Sequence, residues 1–160
     1  MIYGITGFSR VGKDTLASLH PELTRFAFAD ALKSECNEII HKYLGSDLDF
    51  FDEKTKVKHR NLLVEWGEIA READPFHWIS KIDIEDNSII TDVRYKNEAE
   101  WIKSIGGKII YLSRPDFGPA NAIEGKNIQE IIDSDLIDWV ISNNGTFEDL
   151  RNRTKFIKPS

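Results

Sequence analysis

The sequence predicts an α/β fold in which a mostly parallel sheet is covered by helices on both faces. Three observations carry that prediction. Short apolar, β-favouring runs alternate with stretches of helical periodicity, the pattern of repeated β-α-β units. The loop Gly7-Phe8-Ser9-Arg10-Val11-Gly12-Lys13 follows the first such run and precedes the first helical stretch. A length of 160 residues suits one domain better than two, and neither an internal repeat nor a linker interrupts it.

Taken in order, Met1 to Thr6 reads as a strand, and Lys13 to His20 as a helix through Leu16, Ala17 and Leu19 that Pro21 stops. Thr24 to Ala29 reads as the second strand. Asp30 is an N-cap candidate for a helix running to Leu44, with Gly45 at its exit and Cys36, Ile39 and Ile40 facing the core. Ser46 to Lys58 is charged and irregular. Beyond it Leu62, Trp66, Ile69 and Ala73 recur at the spacing of one helix face. Asp74-Pro75 restarts the chain as cap and first position of a short helix through Trp78 and Ile82. Ser88 to Thr91 is the third strand, Asn97 to Ile105 a helix ended by Gly106-Gly107, and Lys108 to Ser113 the fourth strand. Pro115 to Asp138 is the least regular long piece, with a helix from Asn127 to Ile132, and such excursions from a parallel strand commonly cover ligands. Trp139 to Ser142 is the fifth strand.

With 41% hydrophobic and 30% charged residues the chain is ordinary for a globular protein, which excludes disordered, collagen-like and low-complexity classes. The charge sum of 21 Lys+Arg against 27 Asp+Glu gives −6, a sign that disfavours nucleic acid as a partner. Cys36 is the single cysteine and forms no intramolecular disulfide, so no oxidising compartment is needed. No apolar run approaches the roughly 20 residues that span a bilayer, and Met1 leads straight into a strand-like run without a charged leader. The expectation is a cytoplasmic protein with no membrane partner.

Gly7 to Lys13 fits the G-x-x-x-x-G-K frame in the strand-loop-helix context that gives the pattern its meaning. Glycines let backbone N–H groups curl around phosphate oxygens, a helix N-terminus adds partial positive charge, and Lys13 can bridge the β and γ phosphates of a nucleotide. Asp14 stands where Ser or Thr commonly ligates Mg²⁺, with Thr15 next. A carboxylate suits the metal but repels phosphates, so either Asp14 acts through water or Thr15 takes part. Arg10 can offset charge on a transferring phosphoryl group, or be a solvated loop arginine. Asp92, at the end of the third strand, is placed like aspartates that hold Mg²⁺ or its waters, although strand-end Asp also forms turns. Arg94 follows and can face a second anion. The absence of N-K-x-D weakens a GTPase reading, and the four histidines have no zinc-ligand spacing.

On the middle helix Arg60 and Arg71 lie about 20° apart at 100° per residue, with Gly67 on their side. Two guanidinium forks beside a missing side chain can seat a monophosphate. The alternative is a solvated face paired with Glu68 and Glu72. Trp66 reads as core more readily than as a stacking platform.

Four blocks together resemble the phage-type deoxynucleoside monophosphate kinases: Gly7 to Thr15 with its G-K-D-T ending, Phe28-Ala29-Asp30-Ala31-Leu32-Lys33, Trp66-Gly67-Glu68 followed by Arg71, and Ile90-Thr91-Asp92-Val93-Arg94 through Ala99. Asn143-Asn144-Gly145-Thr146 resembles the exit of the family's last strand. The resemblance implies a P-loop NTPase fold, a three-layer α/β/α arrangement with a five-stranded parallel sheet in the order 2-3-1-4-5. It implies one kinase domain over residues 1–160, with a helical monophosphate-binding region at about 46–82 and a lid at about 115–138. It also implies transfer of the γ-phosphate of ATP, with Mg²⁺, to a deoxynucleoside monophosphate. Lys13, Arg10 and Arg114 would serve the transferring phosphate. Asp30, Lys33, Arg60, Trp66, Arg71 and Arg94 would line the acceptor side. Asp92, with Asp14 or Thr15, would hold the metal. Gly7, Gly12, Asn144 and Thr146 would contact ATP, with Thr146 also capping the last helix through Asp149. A homodimer, and a host cytoplasm for a phage-encoded enzyme, follow from the same likeness. Where the family's lid has a His and a Ser or Thr shortly before a Glu, this chain reads Asn121-Ala122-Ile123-Glu124. The lid segment carries no arginine and only Lys126, leaving Arg10, Lys13 and Arg114 to meet transition-state charge. Two other readings stay open: a P-loop kinase for another phosphorylated metabolite, such as dephospho-coenzyme A, and an ATP-binding switch that transfers nothing.

Overall fold

The computed structural model describes residues 1–160 as two compact units, 1–26 with 84–160, and 27–83. In chain order the elements are β1 (Ile2–Thr6), α1 (Lys13–Ser18), β2 (Thr24–Phe26), α2 (Phe28–Leu44), α3 (Glu53–Lys58), α4 (Arg60–Ala73) and α5 (His77–Ser80). They continue as β3 (Ser88–Val93), α6 (Lys96–Ser104), β4 (Lys108–Ser113), α7 (Ala122–Ile132), β5 (Ile137–Ser142) and α8 (Phe147–Arg153). The five strands pair in parallel in the order β2-β3-β1-β4-β5, as the sequence reading expects.

The inner strands β1, β3 and β4 are largely buried on both faces, which is why they read as near-continuous apolar runs. Tyr3, Ile5, Ile89, Ile110 and Leu112 pack with Leu16, Leu19, Leu150 and Ile157 into one core cluster. Ile90, Ile102, Ile109, Ile128 and Ile131 are fully buried as well. β1 lies between β3 and β4, so the chain leaving its carboxyl end emerges where the strand order reverses, the place at which open α/β sheets bind ligands.

Several boundaries differ from expectation, each for a local reason. β2 ends at Phe26 because Ala27, at φ −148 and ψ 136, is the N-cap of α2, and Asp30 therefore lies in the first helical turn instead of capping it. A helix, α3, forms inside the stretch expected to be irregular, capped by the Asp52 carboxylate, which accepts from Thr55 N–H at 2.8 Å. α5 starts at His77, not Pro75, because Asp74 accepts from Phe76 N–H at 2.9 Å in a turn ahead of the helix. α7 starts at Ala122, five residues ahead of the predicted 127, because Asn121 caps it through Glu124 N–H at 2.8 Å.

In the helical unit Cys36, Phe50 and Leu63 form the core, with Leu32, Ile40 and Trp66 against it. Burial and the neighbouring Glu35 push the Cys36 thiol up to about 11, so the lone cysteine is a packing residue with little thiolate character. The apolar stripe expected on α4 is corrected. Leu63, Gly67 and Ala70 are its buried residues, whereas Leu62 and Ile69 are 45% and 54% exposed and Ala73 is exposed too. α4 packs against α2 and α5 through this face, on which Gly67 has no side chain and Trp78 Nε1 donates to Gly67 O at 3.2 Å.

β5 carries a testable feature. The β4–β5 register skips Asp138 between the pairs Ile109–Ile137 and Ile110–Trp139, and the Asp138 carboxylate instead accepts Ile109 N–H at 2.8 Å. Lys103 and Lys108 donate to it at 2.8 and 3.1 Å. Burial pushes this carboxyl up, but the donors outweigh that and hold it below the usual range. Asp138→Asn should therefore cost about 2 kcal/mol at neutral pH in urea unfolding. A folded pKa below the unfolded one means stabilisation present in full above the unfolded value and lost as pH falls through the folded value. The stability gap between parent and variant should accordingly close on acidification over roughly pH 5 to 2.

Candidate functional site

The loop between β1 and α1 needs backbone that few residues supply. Gly7, Arg10 and Gly12 have φ of 143°, 66° and 100°. A Cβ on Gly7 would lie 2.2 Å from Leu112 O, and one on Gly12 would lie 2.6 Å from Asn143 Nδ2. Asn143 in turn donates from Nδ2 to Val11 O at 2.9 Å, pinning the loop to the chain that leaves β5. Gly12 is the N-cap of α1, so the loop delivers N–H groups and a helix N-terminus to one spot.

Lys13 folds back over this loop, its Nζ donating to Gly7 O at 2.7 Å and Phe8 O at 2.8 Å. Burial is the main force lowering its pKa, Arg94 adds to it, and Glu124, Asp14 and Asp92 oppose it. Lys13 thus lies within electrostatic range of Arg94, Asp92 and Asp14. Asp14 is exposed and paired with Arg25 at 3.3 Å. Asp92 lies half-buried near the carboxyl end of β3, and Thr15 is exposed in the first turn of α1. These hard oxygens suit Mg²⁺, which takes one or two carboxylates and draws its other ligands from water and substrate phosphates.

Arg10 is exposed at the loop's crest. Arg114 follows β4 with its guanidinium 4.9 Å from the centre of the Phe117 ring, a cation-π contact. Asn144 accepts from Arg153 Nη1 at 2.5 Å, and Thr146 forms the expected capping box, accepting Asp149 N–H at 3.2 Å while Asp149 accepts Thr146 N–H at 2.7 Å.

In the helical unit Lys33 donates to Asp30 at 2.8 Å and lies 5.1 Å from the centre of the Phe51 ring. Arg71 Nη1 donates to Gly67 O at 3.1 Å, so the gap expected at Gly67 is filled by Arg71 and Leu32, which would lie 3.3 and 3.4 Å from a Cβ there. Arg60 is exposed at the start of α4, apart from that arrangement. Trp66 is half-buried and donates through Nε1 to Glu35 at 2.8 Å. Glu35 also pairs with Lys81 at 2.6 Å and with His77 Nε2 at 3.0 Å. Burial raises the Glu35 pKa, but the Lys81, Trp66 and His77 bonds together leave it below the usual carboxylate range.

Two groups at the loop escaped the sequence reading. Asn143, in the block that follows the last strand, braces the loop through its side chain. Glu124 is 8% exposed, accepts from Ser9 N–H at 3.3 Å and lies 3.9 Å from Arg94 Nη1. The Asn-x-x-Glu spacing of a helix start and the Glu of the lid pattern single it out in the sequence, but neither indicates a contact with the loop.

No protein-family model matches the chain. It is similar to a protein of Acanthamoeba polyphaga mimivirus named "Putative deoxynucleotide monophosphate kinase", with 26% identity over 187 aligned positions that cover 93% of this chain and 91% of the other. Among solved structures it is similar to a dephospho-CoA kinase from Campylobacter jejuni, at a TM-score of 0.44 and 12% identity, covering 94% of this chain and 92% of that one. A sugar kinase from Janibacter sp. gives a TM-score of 0.48 at 17% identity, covering 98% and 92%. On its own sheet order and on the loop that joins its central strand to α1, the chain has the P-loop NTPase fold.

Proposed function

We propose that the protein is a Mg²⁺-dependent kinase that transfers the γ-phosphate of ATP to a deoxynucleoside 5′-monophosphate, releasing ADP and the diphosphate. The observation that carries this reading is Lys13 folded over a glycine-framed loop at the carboxyl end of the central strand. The choice of acceptor rests on the sequence blocks shared with deoxynucleoside monophosphate kinases and on the name of the mimivirus relative. Both substrates are anions at neutral pH, so the task is to neutralise two phosphates and hold them in line, and no general base is required.

Lys13 exchanges two neutral carbonyl partners for phosphate oxygens, a change to charge-assisted hydrogen bonds. Gly7 and Gly12 allow the positive-φ backbone that lets the loop's N–H groups curl around a phosphate, and Arg10 and Arg114 supply cations as charge develops. Asp92, with Asp14 or Thr15, would hold Mg²⁺, which supplies charge neutralisation between the phosphates. Asp30, Lys33, Arg60, Trp66, Arg71 and Arg94 are assigned to the acceptor, and Asn144 and Thr146 to the ATP base. Residues 46–82 are the monophosphate-binding region and 115–138 the lid in this reading, which also carries a cytoplasmic location and a homodimer.

The test is ADP release with Mg-ATP against dGMP, dTMP, dCMP and dAMP, each beside its ribonucleotide, with dephospho-coenzyme A as a further acceptor. Turnover on at least one deoxynucleotide is expected. Silence on all nucleotides in a protein that still binds ATP would overturn the acceptor assignment. Arg71→Ala should raise the KM for the acceptor about tenfold, the scale of one charge-assisted phosphate contact, while the KM for ATP stays within about twofold. Equal effects on both would remove Arg71 from the acceptor side.

A further inference from the structure

Glu124 is a buried carboxylate that the proposed chemistry does not use. It sits in the first turn of α7, where a capping glutamate ordinarily reaches back to the N-cap N–H and stays in water. Here its Oε2 accepts from Ala120 N–H at 2.7 Å, one residue before the N-cap, and from Ser9 N–H at 3.3 Å in the phosphate loop. Its Oε1 faces Arg94 Nη1 at 3.9 Å, beyond hydrogen-bond reach. A carboxylate this buried is costly unless it is well paired, and its one full-strength bond is to a neutral amide. Packing alone gives no reason for a charge at this spot.

Chemistry does give one. A carboxylate held on a phosphate-loop N–H makes the contact that a phosphate oxygen would make, on the same donor and among the same cations, Lys13 and Arg94. The two anions repel, so they cannot share Ser9 N–H. The bond to Ser9, at 3.3 Å, is the weaker of the two the carboxylate accepts, so it is the one an incoming phosphate displaces.

We infer that Glu124 is a displaceable latch: its carboxylate stands in for phosphate on Ser9 N–H, tying residues 115–121 to the loop until a phosphate takes its place and releases Arg94. Glu124 is thus a positioning residue, acting through Ser9, Ala120 and Arg94. The inference rests on the reading of the loop as a phosphate site.

The experiment uses inorganic pyrophosphate as the probe, with calorimetry for affinity and amide hydrogen exchange for residues 115–121. Glu124→Gln keeps the shape and removes the charge, and Glu124→Ala removes the acceptor as well. Both should bind pyrophosphate about tenfold more tightly than the parent, the scale of one like charge a few ångströms away. Exchange over 115–121 should rise when pyrophosphate is added to the parent, and should already be fast in Glu124→Ala. Asp14→Asn serves as the charge control, because Asp14 lies near Lys13 but touches neither Ser9 nor Ala120. It should tighten pyrophosphate binding and leave exchange over 115–121 unchanged. The latch is overturned if pyrophosphate slows or does not alter exchange in the parent, or if Asp14→Asn reproduces both effects. Failure of the parent and both Glu124 variants to bind pyrophosphate would overturn the phosphate-loop reading itself, and the latch with it.

Discussion

Lys13→Ala should lower kcat for phosphoryl transfer by about 10³-fold, the cost of losing a preorganised cation at a transferring phosphoryl group. The same variant should melt within roughly 3 °C of the parent. The two expectations separate because of what Lys13 touches. Its Nζ bonds only to Gly7 O and Phe8 O, carbonyls of the loop it covers, and it props up no core element. Burial already disfavours its charged form and Arg94 adds to that, so the ammonium is held where a phosphate would relieve it. Lys13→Arg should also fail, since a planar fork does not place one point charge between two phosphates. That variant distinguishes position from net charge. Steady-state assays with both variants, beside calorimetric ATP binding, are the measurement. A rate within tenfold of the parent in Lys13→Ala would leave the phosphate-loop reading without its central residue. Intact ATP binding with no transfer on any acceptor, in the parent protein, would favour an ATP-driven switch.

What could be read from the chain alone divides along physical lines. The order of strands and helices was legible because inner strands buried on both faces demand near-continuous apolar runs, and Ile2 to Thr6, Ser88 to Thr91 and Lys108 to Ser113 supply them. The phosphate loop was legible because its glycines are required by geometry: the backbone at residues 7 and 12 has positive φ and meets other atoms at once. The packing face of α4 was not legible. Leu62 and Ile69 outrank Gly67 on any hydrophobicity scale, yet close helix approach selects the residue with no side chain, and apolar periodicity does not register that. The cap at Asp30 failed for a related reason, since the helix begins at Phe28, in a segment whose apolar residues also suit a strand. Glu124 was out of reach because its partners, Ser9 and Arg94, lie 115 and 30 residues away in sequence, and a spacing motif reports only local neighbours. Asn143 escaped in the same way, as its bond to Val11 spans 132 residues.

Gly7→Ala should be the most damaging single substitution for stability, at about 4 kcal/mol or more. Two costs combine at this position. The φ of 143° is one that L side chains rarely adopt, and a Cβ would sit 2.2 Å from Leu112 O. That oxygen belongs to the backbone of a fully buried strand residue whose neighbours in register are fixed by β5, so no side chain can swing away to relieve the contact. Gly12→Ala meets Asn143 Nδ2 at 2.6 Å, a side-chain atom that can move, but only by giving up its bond to Val11 O. With the strain of a φ of 100° added, its cost should still be smaller in stability than that of Gly7→Ala, about 3 kcal/mol, and should fall chiefly on ATP affinity. Gly45→Ala is the control: φ is 58° there and nothing lies within 4 Å of the added Cβ, so only the backbone preference of about 1 kcal/mol is lost. Urea unfolding of the three variants should therefore rank them Gly7, Gly12, Gly45 in decreasing cost. If Gly7→Ala and Gly45→Ala cost the same, close approach to β4 contributes nothing, and the glycine at the start of the loop would be there for its backbone angle alone.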